Sequence, residues 1–327
     1  MEIINLKEAY FRRYLLLTKV VLVALFIVMH HLIIAVPFIA QWIFFGVFVV
    51  LTGIPHGALD HEVAKQSSRL NLLNFSALNF YIRYLTPMIV YGVCWFFFPT
   101  ISLYIFLLLS GFHFGETDLP IPANQSSFTT ILLQTSYGLL VLFLILFLNL
   151  DEVLPILDQI NIFSPSLIRF LKSPTAGSYS LIGATLFFLI ALIAYFVSHK
   201  ANAKIIIRIT ILLSIVTISA AMLSLPISFA IYFGLWHSII SLENIRLHLS
   251  VSAKKEVTWL KLLAKCIPFT LFSFVGIFAL IYFFDLNKNI DLFLMGLFIG
   301  ISILTLPHQE VMSKMYFQIR KKNQLID

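Results

Sequence analysis

Repeated apolar runs of about 20 residues are the feature of this sequence that most constrains its fold. A run of this length, folded as a helix, crosses the hydrocarbon core of a bilayer, which is about 30 Å thick. Hydrophobic residues make up 60% of the 327 residues. Charged residues make up only 11%, against about 25% in ordinary soluble domains. The sequence therefore predicts an all-α, polytopic transmembrane helical bundle. It excludes a soluble globular enzyme, a disordered regulator and a disulfide-rich secreted domain.

The apolar runs predict about ten spans, which leave little chain for a soluble region. We therefore expect residues 1–327 to form a single integral-membrane domain. The segment 151–175 carries acidic residues and prolines among scattered Leu and Ile, and predicts an interfacial helix or loop on the outer side. The spans are expected near residues 16–36, 38–58, 79–98, 100–117, 127–149, 178–198, 204–224, 226–243, 262–284 and 290–309.

Lys and Arg predict the orientation of these spans, because they collect in cytoplasmic loops. With ten spans and the N-terminus inside, sixteen Lys and Arg fall in inside segments. Only three, Arg169, Lys172 and Lys288, fall in outside segments. This split predicts an N-in and C-in arrangement and accounts for the net charge of +7. No basic patch interleaved with aromatic residues lies outside the apolar runs, so we expect no nucleic-acid partner.

Five of the nine histidines lie in four short polar clusters. An ionisable residue inside a span is a functional candidate, because its burial in hydrocarbon is costly. We expect the clusters at the ends of spans two, four, eight and ten, which all run from outside to inside. The clusters then share one depth near the cytoplasmic side, where helix ends can converge. They are Gly53–His61, Gly111–Asp118, Trp236–Glu243 and Leu306–Glu310.

The other four histidines are expected to serve packing or the membrane interface. These are His30, His31, His199 and His248, the last of which we expect in a basic loop.

The residue types in the four clusters indicate a metal site, because imidazole suits Fe, Zn, Cu and Ni. His56, His113 and His237 are the predicted core ligands, with His308 or His61 nearby. Pro55 and Pro307 are expected to interrupt their helices where the backbone lines a cavity. Carboxylates that could hold the second ring nitrogens are Asp60, Glu116, Asp118 and Glu310. Glycines expected to allow close helix approach are Gly57, Gly111 and Gly115. A hydrogen-bonded polar cluster in a proton relay or transporter is the alternative.

The same clusters resemble the Brp/Blh family of integral-membrane β-carotene 15,15'-dioxygenases. The resemblance rests on PHGALDH at 55–61, HFGETD at 113–118, WHS at 236–238 and PH at 307–308. It implies a many-spanning helical bundle that uses Fe(2+) and O2 to cleave β-carotene at its central double bond into two retinal molecules. It also implies a bacterial inner-membrane location, with the metal near the cytoplasmic side and a retinal-accepting rhodopsin as the consumer of the product.

The resemblance also implies a set of site residues. The family's iron-binding histidines match His56, His113 and His237. The family has a fourth ligand, a histidine four residues after the third, where this chain has Ser241. Water, His308, His61 or Glu243 could fill that position. A substrate tunnel would be lined by aromatic residues next to the motifs, namely Phe112, Phe114, Tyr232, Phe233 and Trp236.

Two other functions remain open at the level of the sequence. A membrane fatty-acid desaturase or hydroxylase would use boxes such as the H-x4-H of His56 and His61, but the HxxHH boxes of those enzymes are absent. A protein of the same fold that binds or transports a carotenoid or retinal without cleaving it is the other alternative. Ser241 favours that second alternative, because a serine hydroxyl is a poor iron ligand.

Overall fold

The computed structural model of the chain describes residues 17–18, 20–29, 36–119, 121, 125–160, 162–199, 203–253, 256–284 and 290–324. It is 89% helical, and no strand occurs among these residues. The predicted all-α class is therefore confirmed. Eight helices in the described ranges are long and apolar enough to cross a membrane, namely Phe38–Leu70, Ala77–Phe97, Phe128–Leu148, Ala176–Ser198, Ile205–Met222, Leu225–Ser250, Trp259–Ala279 and Met295–Lys321.

Two of the ten predicted spans are not among these eight. The segment 16–36 lies partly outside the described residues, as do His30 and His31. The segment 100–117 does form a helix, Pro99–Asp118, but its last two turns are polar. The count of ten spans and the N-in, C-in orientation remain predictions.

Fourteen helices are numbered here in chain order, beginning at Phe38. Two π-helical segments, Val49–Gly53 and Ala230–Ser238, join consecutive helices without a break. The helices are α1 Phe38–Phe48, α2 Ile54–Gly57, α3 Asp60–Leu70, α4 Ala77–Phe97, α5 Pro99–Asp118, α6 Phe128–Leu148, α7 Leu150–Ile160, α8 Pro165–Leu171, α9 Ala176–Ser198, α10 Ala203–Met222, α11 Leu225–Phe229, α12 Ile239–Ala253, α13 Trp259–Phe284 and α14 Ile290–Gln324.

Several helices begin at residues that satisfy or remove the free backbone N–H groups of a first turn. The side chains of Ser76, Ser127 and Ser164 accept hydrogen bonds from the backbone three residues on and cap α4, α6 and α8. Pro99 and Pro165 open α5 and α8, where the N–H that proline lacks would have no partner within the helix.

Three of the four histidine clusters lie within continuous helical stretches, so these helices continue beyond the predicted ends of spans two, eight and ten. Helix α3 carries the first stretch on to Leu70, α12 runs to Ala253, and α14 continues to Gln324. Pro307 lies inside α14 and does not interrupt it. Proline removes one backbone hydrogen bond, and packing of α14 against α3, α4 and α5 holds the helix on both sides of that point.

Helices α5 and α6 approach each other closely at glycines. A methyl group at Gly115 would lie 1.8 Å from the carbonyl oxygen of Gln134. A methyl group at Gly138 would lie 1.9 Å from the carbonyl oxygen of Gly111. The predicted role of Gly111 and Gly115 is therefore confirmed. The prediction for Gly57 was wrong, because a methyl group there would meet nothing within 4 Å.

The stretch Leu225–Ser250 is the most enclosed of the eight candidate spans, since 83% of the residues in its apolar 18-residue core are buried. It runs through α11, the second π-helical segment and α12. Outer helices instead expose large apolar side chains such as Ile193, Leu260 and Phe272, as a lipid-facing surface requires. The stretch that carries His237 is therefore surrounded by protein, which places the second half of the candidate site in the interior of the bundle.

Candidate metal centre

Four histidines from four separate helical elements meet in the interior of the bundle. They are all buried: His56 in α2, His113 in α5, His237 in the second π-helical segment and His308 in α14. The ring centroid of His113 lies 4.7 Å from that of His237 and 4.9 Å from that of His308. His56 lies 5.0 Å from His308 and 5.5 Å from His237. We call these four residues the histidine cluster.

Nε2 of His113 and Nε2 of His237 lie 3.1 Å apart. Two imidazole nitrogens come this close when one donates to the other or when both face a cation. One ring nitrogen from each of His56, His113 and His308 lies within 4.8 Å of the other two. The set that is mutually closest thus contains His308, and His237 joins it through His113. The sequence had instead predicted His237 in the core set and His308 nearby.

The two π-helical segments position His56 and His237, and neither was predicted. The first ends directly before Ile54 and Pro55. The proline ring has no N–H and crowds the carbonyl group four residues earlier, so a wider turn relieves the clash. Short π-helical segments within α-helices are frequent at functional sites. Pro55 inside an apolar run was the one sequence signal for it.

The two π-helical segments also pack directly against each other. The hydroxyl of Thr52 lies 2.8 Å from the carbonyl oxygen of Phe48 and 3.1 Å from that of Gly234. A methyl group at Gly53 would lie 2.8 Å from the ring of Phe233, and one at Gly234 would lie 2.6 Å from Cβ of Phe48. Glycine at both positions therefore allows the two segments to bring His56 and His237 together.

A carboxylate holds one nitrogen of His308. Nδ1 of His308 lies 2.8 Å and 3.0 Å from the two carboxylate oxygens of Asp60. The hydroxyl of Tyr84 donates to Oδ2 of Asp60 at 2.7 Å. Asp60 and His308 are both buried, and 248 positions separate them in the chain. A carboxylate in this position fixes the ring orientation and the tautomer of a histidine.

Glu116 had been predicted to hold a histidine nitrogen, but its carboxylate joins α5 to α14. Its carboxylate accepts from Ser313 at 2.5 Å, from Arg320 at 3.0 Å and from Gln309 at 3.3 Å. The prediction for Glu310 was also wrong, since its exposed carboxylate pairs with Lys314 on the surface of α14. Glu116 thus fixes the position of the helix that carries His308.

Asp118, also predicted to hold a histidine, holds aromatic residues beside the histidine cluster. This carboxylate is fully buried and accepts from Tyr232 at 3.0 Å, from the indole of Trp236 at 3.1 Å and from Tyr137 at 3.2 Å. The contacts connect the end of α5 with α6 and with the segment that carries His237. Asp118 therefore fixes the side-chain orientations of two predicted tunnel residues, Tyr232 and Trp236.

Aromatic rings shield the histidine cluster on the side of the second π-helical segment. The ring of Phe114 lies 4.6 Å from that of His237. Phe233 stacks on His237 at 5.9 Å and 15° and contacts His56 at 5.9 Å. Phe112, the remaining predicted wall residue, is half-buried on α5. Tyr232 and Trp236 also line a small cleft with Ile145, Ile215, Val216, Ser219, Ser228 and Ile231.

Two other histidines lie away from the positions expected of them, whereas Ser241 lies four residues after His237 in the helical stretch that carries both. His61 packs among aromatic rings, with Phe75 at 5.1 Å and Tyr81 at 5.5 Å, and does not join the histidine cluster. His248 was expected in a loop but is buried in α12, with Nε2 3.3 Å from the hydroxyl of Ser67. Ser241 is fully buried in the first turn of α12 and neighbours the hydroxyl of Tyr316.

The donors in the histidine cluster suit a first-row transition metal. Four imidazoles converge, and the group of possible ligand atoms within 4.8 Å of one another among the described residues consists of histidine nitrogens, so an oxygen-preferring ion such as Mg²⁺ or Ca²⁺ is a poor match. Nε2 of His308 is buried and has no hydrogen-bond partner among the described residues. A buried nitrogen without a partner is costly unless something else occupies its lone pair. The residues present therefore fit a bound metal ion.

Comparison with protein families bears directly on this site. The family model described as Beta-carotene 15,15'-dioxygenase matches residues 47–316. The chain belongs to the β-carotene 15,15'-dioxygenase family. The matched range contains all four members of the histidine cluster, together with Asp60. No curated protein and no solved structure matches the chain significantly. Membership of this dioxygenase family thus confirms the resemblance of the motifs.

Proposed function

We propose that this member of the β-carotene 15,15'-dioxygenase family is a non-haem iron enzyme that cleaves β-carotene at its central 15,15' double bond. One O2 is consumed, the C=C bond breaks, and each half receives one oxygen atom as an aldehyde, giving two retinal molecules. The observation that carries the proposal is the buried meeting of His56, His113, His237 and His308 within the range that the family model matches.

The proposed ligands are His56, His113 and His237, with His308 beside them. Imidazole nitrogens bind Fe(2+) well and leave positions open for small molecules in non-haem oxygenases. A bound iron ion would supply the electrons and coordination positions that O2 activation requires. Iron is favoured over other imidazole-binding metals by the family alone, since the geometry suits several of them.

The aromatic residues next to the cluster are proposed to hold the polyene. Phe114 and Phe233 contact ring faces of the histidine cluster, so an apolar chain lying against them would place its double bonds beside the metal. Holding reactants at a fixed distance is itself a large part of catalysis. Tyr232 and Trp236 are held by Asp118, and Phe112 lies on the neighbouring face of α5. Regioselectivity would then follow from where the polyene stops.

The proposed location is the inner membrane of a bacterium, with both termini and the metal centre toward the cytoplasm. The support is the distribution of Lys and Arg, sixteen to three in favour of the inside segments. β-Carotene would enter from the lipid, and retinal would leave to a retinal-binding protein such as a rhodopsin.

The test is retinal formation in bacterial cells that produce β-carotene, with pigments and retinal quantified by chromatography. We expect the wild type to make retinal and His113→Ala to make none. His61→Gln is the matched control, because His61 is a histidine of the same motif region that contacts aromatic rings instead of the cluster. Retinal from His113→Ala would overturn the proposal.

A second function, carotenoid binding without cleavage, is favoured by one observation, the serine at position 241. It predicts that the wild-type protein purifies with bound carotenoid and makes no retinal. The same expression experiment separates the two functions, since pigment lost from the cells and pigment retained on the protein are measured together.

A further inference from the structure

His308 is held from behind by two residues, Asp60 and Tyr84. His308 comes from α14, far in sequence from the other members of the histidine cluster. Its Nδ1 faces the carboxylate of Asp60 at 2.8 Å, and Asp60 in turn accepts from Tyr84 at 2.7 Å. The three side chains form a relay that comes from α3, α4 and α14, in which Asp60 and His308 are buried and Tyr84 is half-buried.

The relay determines which nitrogen of His308 is available. A carboxylate accepts hydrogen bonds and does not donate them when ionised, so Nδ1 carries a hydrogen. In the neutral imidazole the lone pair then lies on Nε2. Nε2 of His308 is buried and has no hydrogen-bond partner among the described residues. The nitrogen that the relay leaves free is thus the one that a metal ion could bind.

The free nitrogen belongs to a residue that lies beside two other members of the cluster. The ring of His308 lies 5.0 Å from that of His56 and 4.9 Å from that of His113. One nitrogen of each of these three residues lies within 4.8 Å of the others. Ser241, in contrast, has a short hydroxyl side chain and neighbours Tyr316. Helix α14 thus brings a further imidazole nitrogen to the cluster, of the kind that Ser241 does not supply.

We propose that His308 is a protein ligand of the metal, and that Asp60 and Tyr84 are positioning residues that hold it in the binding tautomer. The proposal rests on the proposed metal centre but not on the substrate or the reaction. Carboxylate–histidine–metal arrangements of this kind raise the basicity of the ligand and fix its ring. The alternative is a plain ion pair between Asp60 and a protonated His308 that takes no part in metal binding.

The test is metal binding to the purified protein in detergent, with Co²⁺ as the probe under anaerobic conditions. Co²⁺ accepts the same imidazole donors, and its visible absorption bands report the number and type of ligands. We expect His308→Ala to lower the affinity for Co²⁺ by about 100-fold or more and to shift these bands. We expect Asp60→Asn to lower the affinity about 10- to 100-fold, as is typical when the residue behind a histidine ligand is changed. Tyr84→Phe should have a smaller effect in the same direction.

Two controls match these variants. Glu310→Gln removes an exposed carboxylate two residues from His308, whose partner among the described residues is Lys314. His61→Gln changes the residue next to Asp60, whose ring contacts aromatic side chains. Both are expected to bind Co²⁺ as the wild type does, with the same spectrum.

A second-site variant distinguishes a lost ligand from a damaged fold. Adding Ser241→His to His308→Ala returns an imidazole to the first turn of α12, four residues after His237. We expect the double variant to recover at least part of the lost Co²⁺ affinity. Where His308→Ala does not fold, Asp60→Asn carries the test, because it keeps the size of the side chain.

The outcomes separate this proposal from the proposed function. If His308→Ala and Asp60→Asn bind Co²⁺ with wild-type affinity and spectrum, the relay is an ion pair and the proposal fails, while the metal centre stands. If the wild type binds neither Co²⁺ nor Fe²⁺, the metal centre and the proposed function fail together. Loss of affinity in both variants with unchanged controls supports the role of His308.

Discussion

The hydroxyl of Thr52 lies 3.1 Å from the carbonyl oxygen of Gly234, and this hydrogen bond joins the two π-helical segments. The first segment lies directly before the helix that contains His56, and the second contains His237. The two residues are 182 positions apart in the chain. Wide helical turns leave carbonyl groups less well satisfied than an α-helix does, and a side-chain donor from the facing segment compensates. The contact is thus a direct link between the two halves of the histidine cluster.

Thr52→Val tests that link. Valine keeps the shape of threonine but donates no hydrogen bond, so we expect a loss of about 1 kcal/mol in stability and a weaker affinity for metal. Thermal unfolding in detergent and a Co²⁺ titration measure the two effects. Thr210→Val is the control, since the hydroxyl of Thr210 bonds only the carbonyl of Ile206 within its own helix. Equal behaviour of the two variants would show that the contact with Gly234 contributes nothing.

Gly115→Ala tests the close approach of α5 and α6. The added methyl group would lie 1.8 Å from the carbonyl oxygen of Gln134, so the two backbones must separate. We expect a loss of about 3 kcal/mol or more, at or above the top of the range for overpacked cores, and a lower yield of folded protein. In Gly183→Ala, the control in α9, the methyl group meets nothing within 4 Å. That variant should gain up to about 1 kcal/mol, because alanine favours a helix interior.

Arg320→Ala tests the attachment of α14 through Glu116. The carboxylate of Glu116 is buried, and removing Arg320 leaves its charge with only Ser313 and Gln309 as partners. We expect a loss of about 3 kcal/mol, because a buried charge that loses its counter-ion is costly. Lys314→Ala removes the exposed partner of Glu310 from the same helix and should cost less than about 1 kcal/mol. Similar unfolding midpoints for the two variants would contradict the proposed role of Glu116.

Single-cysteine labelling tests the orientation. In a chain with Cys94 and Cys266 replaced by alanine, Thr175→Cys is expected to react with a membrane-impermeant maleimide in intact cells. Asn71→Cys should react only after the inner membrane is opened. Asn71 is exposed directly after α3, and Thr175 is exposed directly before α9. The two positions are therefore comparably accessible to the maleimide once it reaches their side of the membrane. The reverse pattern would put the N-terminus outside and would contradict the distribution of Lys and Arg.

Hydropathy predicts most of the fold because a bilayer leaves a long apolar run few alternatives. Every backbone group within the hydrocarbon must find a partner, and a helix provides all of them within one segment. The meeting of His56, His113 and His237 was also predictable, since counting spans places their motifs at one depth. The wide turn before Pro55 had one local signal, the proline itself. The wide turn around Gly234 was not predictable, because it depends on a contact with Phe48 from a distant segment.

The failure of the prediction for His61 has a simple geometric origin. Helix α2 ends at Gly57 and α3 begins at Asp60, so His56 and His61 lie in different helices. The carboxylate of Asp60 contacts His308, whereas the ring of His61 lies against the rings of Phe75 and Tyr81. The H-x4-H spacing alone therefore did not indicate which of the two residues lies next to the cluster.

The π-helical segment Ala230–Ser238 gives the central span a fixed rotational phase. Each residue of an α-helix turns the chain by about 100°, and the wider turns of this segment turn it by less, so deleting one residue between 230 and 235 would change the direction in which His237 points. The span would keep its apolar length and still cross the bilayer. A protein shortened by this single residue should insert normally and yet lose the contact between His113 and His237, which makes the length of this stretch, as much as its side chains, a determinant of the metal centre.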